Sequence, residues 1–484
     1  MLKYFNLLLG PTLFSIFFFI IGPFEGMTSE SHGIFCSVLW IASWWITEAI
    51  PIPVTSLLPL VLFPVTGGYD LGLTASAYGN DIIYFYLAGF FIAIAMEKWN
   101  LHQRIALTII SIVGTNKKNM ILGFMLATAF LSAFLSNTST SIMMLPIGIA
   151  IISQVSKSKK YNHSNFGKVL MLGIAYSASI GGFSTLYGTP PNLILKSNIQ
   201  QFFNYTIDFD QWFLLALPLS ITLLFICWVY LVNFSFSLSS ESSISKNQII
   251  NKLKELGKIK YEEVIVLIIF SLFVITLLLK RKIQIYIISI DDTIIAIFYA
   301  ILLFIFNSKD GNKKIISWKD STKLPWGIVL LFGGGLSLAA AMQGSGLTLW
   351  IGEKLYGLNT FSVIIIVLSI VFVVNFLTEI TSNLATVSMI LPILATLSIT
   401  LGLHPFVIMI SATIAASCAF MLPVATPPNA VVFGSGYLRI KDMIKTGLFM
   451  NLISILLVTL YVYYILPEIL GIDINVFPES FKKD

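Results

Sequence analysis

Charge is scarce in this chain. Asp, Glu, Lys and Arg make up 11% of 484 residues, against about 25% in a soluble domain. So little charge excludes a water-soluble surface, and the 57% hydrophobic share places the chain in a bilayer. Histidine and cysteine are scarcer still. His32, His102, His163 and His404 have no metal-ligand spacing, and Cys36, Cys227 and Cys418 are odd in number, far apart and set in apolar sequence. The thiols therefore read as buried and free, neither disulfide nor metal ligands. Cys, His and Asp are nearly absent from the polar motifs described below, which counts against a membrane-embedded enzyme with a nucleophile–base pair or metal cluster. Gly333-Gly334-Gly335 lacks the strand–turn–helix context of a phosphate loop and reads as close helix packing. The net charge of +6 sits mostly in short loops, where lysines set topology, so no nucleic-acid partner is expected.

Long apolar runs alternate with short polar gaps, the pattern of helices and not of a barrel. Spans are predicted near 8–24, 34–49, 52–68, 82–100, 167–194, 208–235, 262–280, 283–307, 326–350, 405–435 and 441–466, eleven in all. The first shows no small-residue cleavage site after it, so it reads as a span and not a signal. Two further apolar segments, 120–155 and 359–400, are broken in the middle and read as hairpins that enter and leave on one side. This layout puts the amino terminus inside and the carboxyl terminus outside the cell's inner (plasma) membrane. Lys157, Lys159, Lys160 and Lys168 then fall inside, with Lys246, Lys252, Lys254, Lys258 and Lys260, Lys309, Lys313, Lys314, Lys319 and Lys323, and Arg439, Lys441 and Lys445. Lys280-Arg281-Lys282 alone disagrees, falling outside. Leu101–Lys118 and Leu347–Leu358 are open to reading as interfacial helices or arms. The chain divides into 1–118 and 236–358, which carry unbroken spans, and 119–235 and 359–484, each carrying a hairpin, a broken span and a final span.

The breaks repeat. Ser136-Asn137-Thr138-Ser139-Thr140 leads into Met143-Met144-Leu145-Pro146-Ile147, and an offset of 246 gives Ser382-Asn383-Leu384-Ala385-Thr386 leading into Met389-Ile390-Leu391-Pro392-Ile393. The same offset carries Gly89 onto Gly335. Gly188-Thr189-Pro190-Pro191-Asn192 is echoed by Ala425-Thr426-Pro427-Pro428-Asn429. Hydroxyls and amides in one such cluster read equally well as glue between helices. Two copies at one spacing need another reason, because packing does not require the same Ser-Asn and Leu-Pro-Ile twice. Duplicated polar breaks in corresponding halves of a membrane chain mark a transporter site at the repeat interface.

The chemistry of such a site follows from helix ends. Freed carbonyls and Ser, Thr and Asn oxygens suit a small hard cation, while N–H groups opening the next half-helix suit a carboxylate or other oxyanion. Asn137 and Asn383 serve either role, since an amide carries an acceptor and two donors. Proline in each Thr-Pro-Pro-Asn segment forbids continued helix and frees further carbonyls. No Arg or Lys lies within these motifs, so helix ends and co-bound cations must neutralise an anion. Glu379 is the one carboxylate close by. It reads as a structural hydrogen-bond partner or as a proton relay, and its counterpart in the first repeat is Ala133. Glu48 and Glu97 read as anchors near span ends.

Together with Thr47-Glu48-Ala49-Ile50-Pro51, Pro53, Pro59 and Gly173-Ile174-Ala175-Tyr176-Ser177-Ala178-Ser179-Ile180-Gly181-Gly182, these motifs resemble the divalent anion/sodium symporter family over nearly the whole chain. The resemblance implies an all-α polytopic membrane protein with inverted repeats, eleven transmembrane helices plus two re-entrant hairpins, an elevator-type transporter and a homodimer. It implies one sodium site at Ser132, Ser136, Asn137 and Gly188, and a second at Thr378, Thr381, Asn383 and Ala425. Substrate contacts would come from Ser136, Asn137, Thr138, Thr189 and Pro190 on one side and Ser382, Asn383, Leu384, Thr426 and Pro427 on the other. Many members have Thr where Leu384 stands, so one end of this site is less polar. The expected activity is sodium-coupled symport of a small dianion, a C4-dicarboxylate such as succinate, malate or fumarate, with no cofactor beyond sodium as coupling ion. A sodium-independent dicarboxylate exchanger and a sulfate symporter are the alternatives; a channel fits repeated half-helices poorly.

Overall fold

The computed structural model describes residues 2–114, 116–155, 165–238, 246–286, 290–311 and 313–481. Lys157, Lys159 and Lys160, assigned above to an inner loop, lie outside the described residues. The described chain is helical, without a strand. In order come α1 Leu2–Ser15, α2 Ser29–Thr47, α3 Ile52–Thr55, α4 Pro59–Val65, α5 Leu71–Ser76, α6 Asp81–Lys98, α7 Leu101–Val113, α8 Lys117–Ser132, α9 Asn137–Val155, α10 Asn165–Gly182, α11 Pro190–Phe203 and α12 Phe209–Tyr230. The second half follows with α13 Lys246–Glu255, α14 Tyr261–Leu278, α15 Lys280–Ile283, α16 Asp292–Ile305, α17 Trp326–Gly344, α18 Leu347–Leu355, α19 Val363–Leu377, α20 Asn383–Leu401, α21 Pro405–Ala416, α22 Pro427–Gly434, α23 Ile440–Leu460 and α24 Leu466–Leu470.

Polar residues punctuate the apolar runs. Thr28 caps α2 by accepting from Ser31 N at 3.1 Å, Asn80 caps α6 from Ile82 N at 3.1 Å, and Asp291 caps α16 from Ile294 N at 2.8 Å. Among the described residues, seven helical stretches are long and apolar enough to cross a bilayer. Several helices beside the breaks are shorter, among them Asn137–Ser153, Val363–Leu377 and Pro405–Ala416, whereas Asn383–Leu401 is one of the seven. The segment 52–68, expected as one span, is divided into α3 and α4, because Pro59 has no N–H to give the carbonyl four residues back. The segment 283–307 contributes only α16, which starts nine residues later at its Asp291 cap. The two segments left open, beginning at Leu101 and Leu347, form α7 and α18.

The most enclosed helices are repeat partners. α21 is buried along its whole length and α10 along nearly all of it. Each packs against the hairpin of its own repeat, α10 on α8 and α9, α21 on α19 and α20.

Ion pairs tie the two ends of the bundle, and α6 runs between them. At its last turn Lys98 meets Asp320 at 2.9 Å, close to Arg104–Glu263 at 2.5 Å. Burial works against the charge of Asp320, yet its bonds to the Ser317 backbone N–H and the Lys98 ammonium prevail and hold the carboxyl below its usual range. At the opposite end Lys196 of α11 sits over the Phe85 ring of α6 and 2.8 Å from Asp292. Lys280 joins Asp208 at 2.5 Å and Asp292 at 3.0 Å, and Arg281 joins Asp210 at 2.9 Å. This resolves the one basic cluster that contradicted the loop charges. Two of its three cations are matched by aspartates at neighbouring helix ends. Removing one member of a buried pair costs about 3–5 kcal/mol, because its partner keeps an uncompensated charge.

Candidate substrate and cation site

The first hairpin breaks between α8 and α9, where Ser136 caps the second arm by accepting from Ser139 N at 3.1 Å. Ser132, at the end of the first arm, places its Oγ 2.7 Å from Asn137 Oδ1 and 2.7 Å from the Ala178 carbonyl of α10. One hydroxyl proton cannot serve two acceptors. The Asn137 amide atom facing Ser132 also lies 3.2 Å from the Gly188 and Ala178 carbonyls. With oxygen there, four oxygens converge with one proton among them. An inward-turned amide nitrogen or a cation satisfies them. Glycine makes the cluster possible: a methyl on Gly188 would come within 2.3 Å of the Gly182 carbonyl and 2.6 Å of the Ser132 carbonyl.

The second hairpin repeats this geometry. Thr378 Oγ1 lies 2.7 Å from Asn383 Oδ1 and 3.0 Å from the Ala416 carbonyl of α21. Again one proton faces two acceptors. Thr381, expected in the same cation set, is engaged within its own hairpin: its hydroxyl meets the Leu377 carbonyl at 2.9 Å and Thr386 Oγ1 at 2.5 Å. Ala425 lines the adjoining cavity.

The Thr-Pro-Pro-Asn breaks have a part that their sequence did not reveal. Asn192 Nδ2 donates to the Phe183 and Thr185 carbonyls at 3.3 and 2.7 Å, and Asn429 Nδ2 donates to the Ala419 and Leu422 carbonyls at 3.2 and 3.0 Å. Both are fully buried, so each amide clasps the break closed behind α11 or α22. The offset between these motifs is 237, nine less than the 246 between the hairpin tips. Glu379 holds the second break from the hairpin side. Its Oε1 accepts from Phe420 N, Met421 N and Asn451 Nδ2 at 2.8, 2.9 and 2.7 Å, and its Oε2 from Leu422 N at 2.9 Å. This is the structural reading of Glu379. In the first repeat the Thr185 hydroxyl does a smaller version of the task, donating to the Ala133 carbonyl and accepting from Tyr187 N and Gly188 N at 3.2 Å.

Four half-helices, α9, α11, α20 and α22, start at one cavity of about 800 Å³. Ser136, Asn137, Thr138, Gly188, Thr189 and Pro190 line it from the first repeat, and Thr381, Ser382, Asn383, Leu384, Ala425, Thr426 and Pro427 from the second. Ser132 and Thr378 lie fully buried and are not among its lining residues. Helix N-termini carry about half a positive charge each, and no Lys or Arg lines the cavity. Such a site is made for an anion whose charge is matched by dipoles and cations. The far wall consists of Ile46, Thr47, Glu48, Ile52, Pro53 and Tyr86, with Gly327, Ile328 and Leu331 of α17. The sequence motifs carried no signal for this wall beyond the Thr-Glu-Ala-Ile-Pro run. Pro325 at the rim marks the cavity as open toward the end where α17 begins and α6 finishes.

The two repeats meet the rest of the bundle differently. In the first, Tyr187 is 6% exposed, stacked 4.2 Å from Phe85 and 5.4 Å from Phe273, and Phe134 lies 5.0 Å from Phe270. Their counterparts in the second are Val424 and Ile380, which are 81% and 65% exposed and line the cavity. His404 lies in the turn before α21, where burial pushes its imidazole down to about 4 and its Nδ1 accepts from Phe406 N at 3.2 Å. Among the described residues no cluster of His, Cys, Asp or Glu suits a transition metal.

Residues 3–469 match the family model described as the sodium:sulfate symporter transmembrane region. A sodium-dependent dicarboxylate transporter of Staphylococcus saprophyticus, SdcS, is 46% identical over 481 residues, covering 97% of this chain and 92% of the relative. SdcS of Staphylococcus aureus is 48% identical over 484 residues with the same coverage. Among solved structures, MtrF of Neisseria gonorrhoeae, described within a class of antimetabolite efflux pumps, aligns with a TM-score of 0.56 at 13% identity, covering 81% of this chain and 84% of its own. The YdaH transporter of Alcanivorax borkumensis aligns with a TM-score of 0.54 at 12% identity, covering 81% and 86%. At these identities the two structures share the fold.

Proposed function

The chain belongs to the sodium:sulfate symporter family, and from that premise we propose that it is a sodium-coupled symporter of small dianions, C4-dicarboxylates such as succinate, malate or fumarate foremost. The observation that carries this reading is the pair of matching clusters, one behind each hairpin tip, where with the Asn oxygen turned inward one hydroxyl proton faces two acceptors, beside a cavity with four helix N-termini and no basic side chain. Sodium at Ser132, Asn137, Ala178 and Gly188, and at Thr378, Asn383 and Ala416, supplies the charge each cluster lacks, and loads the tips for a dianion. The carboxylates meet Ser136, Asn137 and Thr138 from one side and Ser382 and Asn383 from the other, near Thr189, Pro190, Thr426 and Pro427. Leu384 offers no hydroxyl, which trims affinity for substrates with a donor-hungry second end. Losing one charge-assisted hydrogen bond costs about 1.5–3 kcal/mol.

Transport proceeds by an elevator motion in which 119–235 and 359–484 move against 1–118 and 236–358, in a homodimer with eleven transmembrane helices per protomer. The lysine-rich loops support an orientation with the open end of the cavity on the cytoplasmic side, the amino terminus inside and the carboxyl terminus outside. An exchanger would place a basic side chain where a sodium site is lost, and none lines the cavity. A sulfate ion is small for about 800 Å³. The test is radiolabelled succinate uptake into proteoliposomes, with and without an inward sodium gradient and with no internal anion. Sodium-dependent uptake is expected. Uptake that ignores sodium but needs internal dicarboxylate would overturn symport, and uptake of sulfate alone would overturn the substrate class.

A further inference from the structure

The repeat correspondence reaches both ends of the bundle. α2 and α14 begin after the caps Thr28 and Lys260, and twenty residues beyond those caps stand Glu48 and Lys280. α12 and α23 begin after the caps Asp208 and Arg439. In each, the cap N–H donates to the side chain three residues on, to Gln211 Oε1 at 3.1 Å and to Asp442 Oδ2 at 3.2 Å. Lys280 and Asp208 form the closed ion pair at the end away from the cavity mouth. Their counterparts, Glu48 and Arg439, carry the opposite charges in the opposite places. Both are exposed, and among the described residues neither forms an ion pair. Glu48 stands on the cavity rim.

Two further observations bear on this pair. Glu48 holds a left-handed backbone, φ 46°, a conformation that favours glycine or asparagine, so its carboxylate is kept against local preference. The apolar residues show the same asymmetry: Tyr187 and Phe134 are covered while Val424 and Ile380 wait uncovered in the cavity. Two repeats of one architecture in different surroundings describe two states of one interface, and exchanging the surroundings gives the other state.

We propose that Glu48 and Arg439 are a second, charge-reversed latch, which pairs when the cavity closes at this end and the Lys280–Asp208 pair at the other end separates. The proposal rests on the alternating-access reading above. In the described state Lys196–Asp292, Lys280–Asp208 and Arg281–Asp210 pair across the boundary between 119–235 and 236–358, and these contacts hold the cavity open on the Glu48 side. In the other state Val424 and Ile380 seat on the wall of Ile46, Ile52 and Leu331, and Arg439 reaches Glu48.

The test uses the full chain with Cys36, Cys227 and Cys418 replaced by alanine, after sodium-driven succinate uptake has been shown for it. Glu48→Cys with Arg439→Cys is treated with a short dithiol-bridging reagent in sodium without succinate. Lys280→Cys with Asp208→Cys serves as the control pair. Bridging of Glu48→Cys to Arg439→Cys should lower uptake by about tenfold or more, with recovery on reduction. Failure to bridge while the control pair does would overturn the latch and leave symport standing. Absence of sodium-driven uptake in the unmodified protein would overturn the transport reading and the latch with it. A charge exchange gives a second readout without cysteine. Uptake lost in Glu48→Arg should return by about tenfold when Arg439→Glu is added. A double variant no better than the single one would overturn the proposal.

Discussion

In the first repeat Tyr187 and Phe134 lie under the rings of α6 and α14, whereas in the second Val424 and Ile380 stand in the open cavity. The oxygens behind the tips do not share this difference. Ser132 meets Asn137 and the Ala178 carbonyl much as Thr378 meets Asn383 and the Ala416 carbonyl. On the proposed reading, what is alike between the repeats binds, and what differs reports the state of the bundle. A site that must bind on both sides of a membrane needs its chemistry preserved while its surroundings change.

The likeness can be broken most severely at the tips. Asn137→Ala and Asn383→Ala each remove an oxygen from a cluster already short of partners. Each should lower sodium-dependent uptake by about 100-fold, with expression unchanged, as measured in proteoliposomes at saturating sodium. Normal uptake in either variant would remove that cluster from the account.

The supports behind the tips are unlike, and so are the effects expected there. Glu379→Gln puts an amide where backbone N–H groups now meet a carboxylate. It should cost about 3 kcal/mol or more of stability, read as a lower midpoint of thermal unfolding in detergent. Thr185→Val removes a hydroxyl with one donor and two acceptor roles in the first repeat, and should cost about 1–2 kcal/mol in the same assay. Equal losses would contradict the different weights given to the two breaks. The smallest effect is expected at Leu384→Thr. It restores the hydroxyl that Thr138 supplies on the other side, and should change the ratio of succinate to malate uptake by about threefold to tenfold while leaving the sodium dependence in place. A shift in sodium dependence without one in preference would move Leu384 from the substrate to the cation side.

Much of the likeness was legible in the sequence, and little of the difference. The tips and the Thr-Pro-Pro-Asn breaks announce themselves because proline, serine and asparagine interrupt apolar runs at matched spacing. Glu379 carried a local hint, but its backbone partners at 420–422 lie some forty residues away and no side-chain pattern marks them. The resemblance put Thr381 in the second cation set, and no sequence pattern showed that its hydroxyl also meets the Leu377 carbonyl and the Thr386 hydroxyl within its own hairpin. The break between α3 and α4 was written in Pro59, and continuous hydrophobicity masked it. Lys280 and Arg281 read as misplaced loop charge, because counting lysines along a chain cannot show that aspartates from other helices meet them. The exposure of Val424 against the burial of Tyr187 has no counterpart in sequence, since it belongs to a conformation and not to a residue.

The central claim is one sodium behind each tip, and counting them tests it most directly. Parallel uptake of radiolabelled sodium and succinate into proteoliposomes, at matched initial rates, gives the number of sodium ions carried per dicarboxylate. The account predicts at least two, with the ratio falling when Ser132→Ala or Thr378→Ala disables one cluster. A ratio of one or none in the unaltered protein would contradict it.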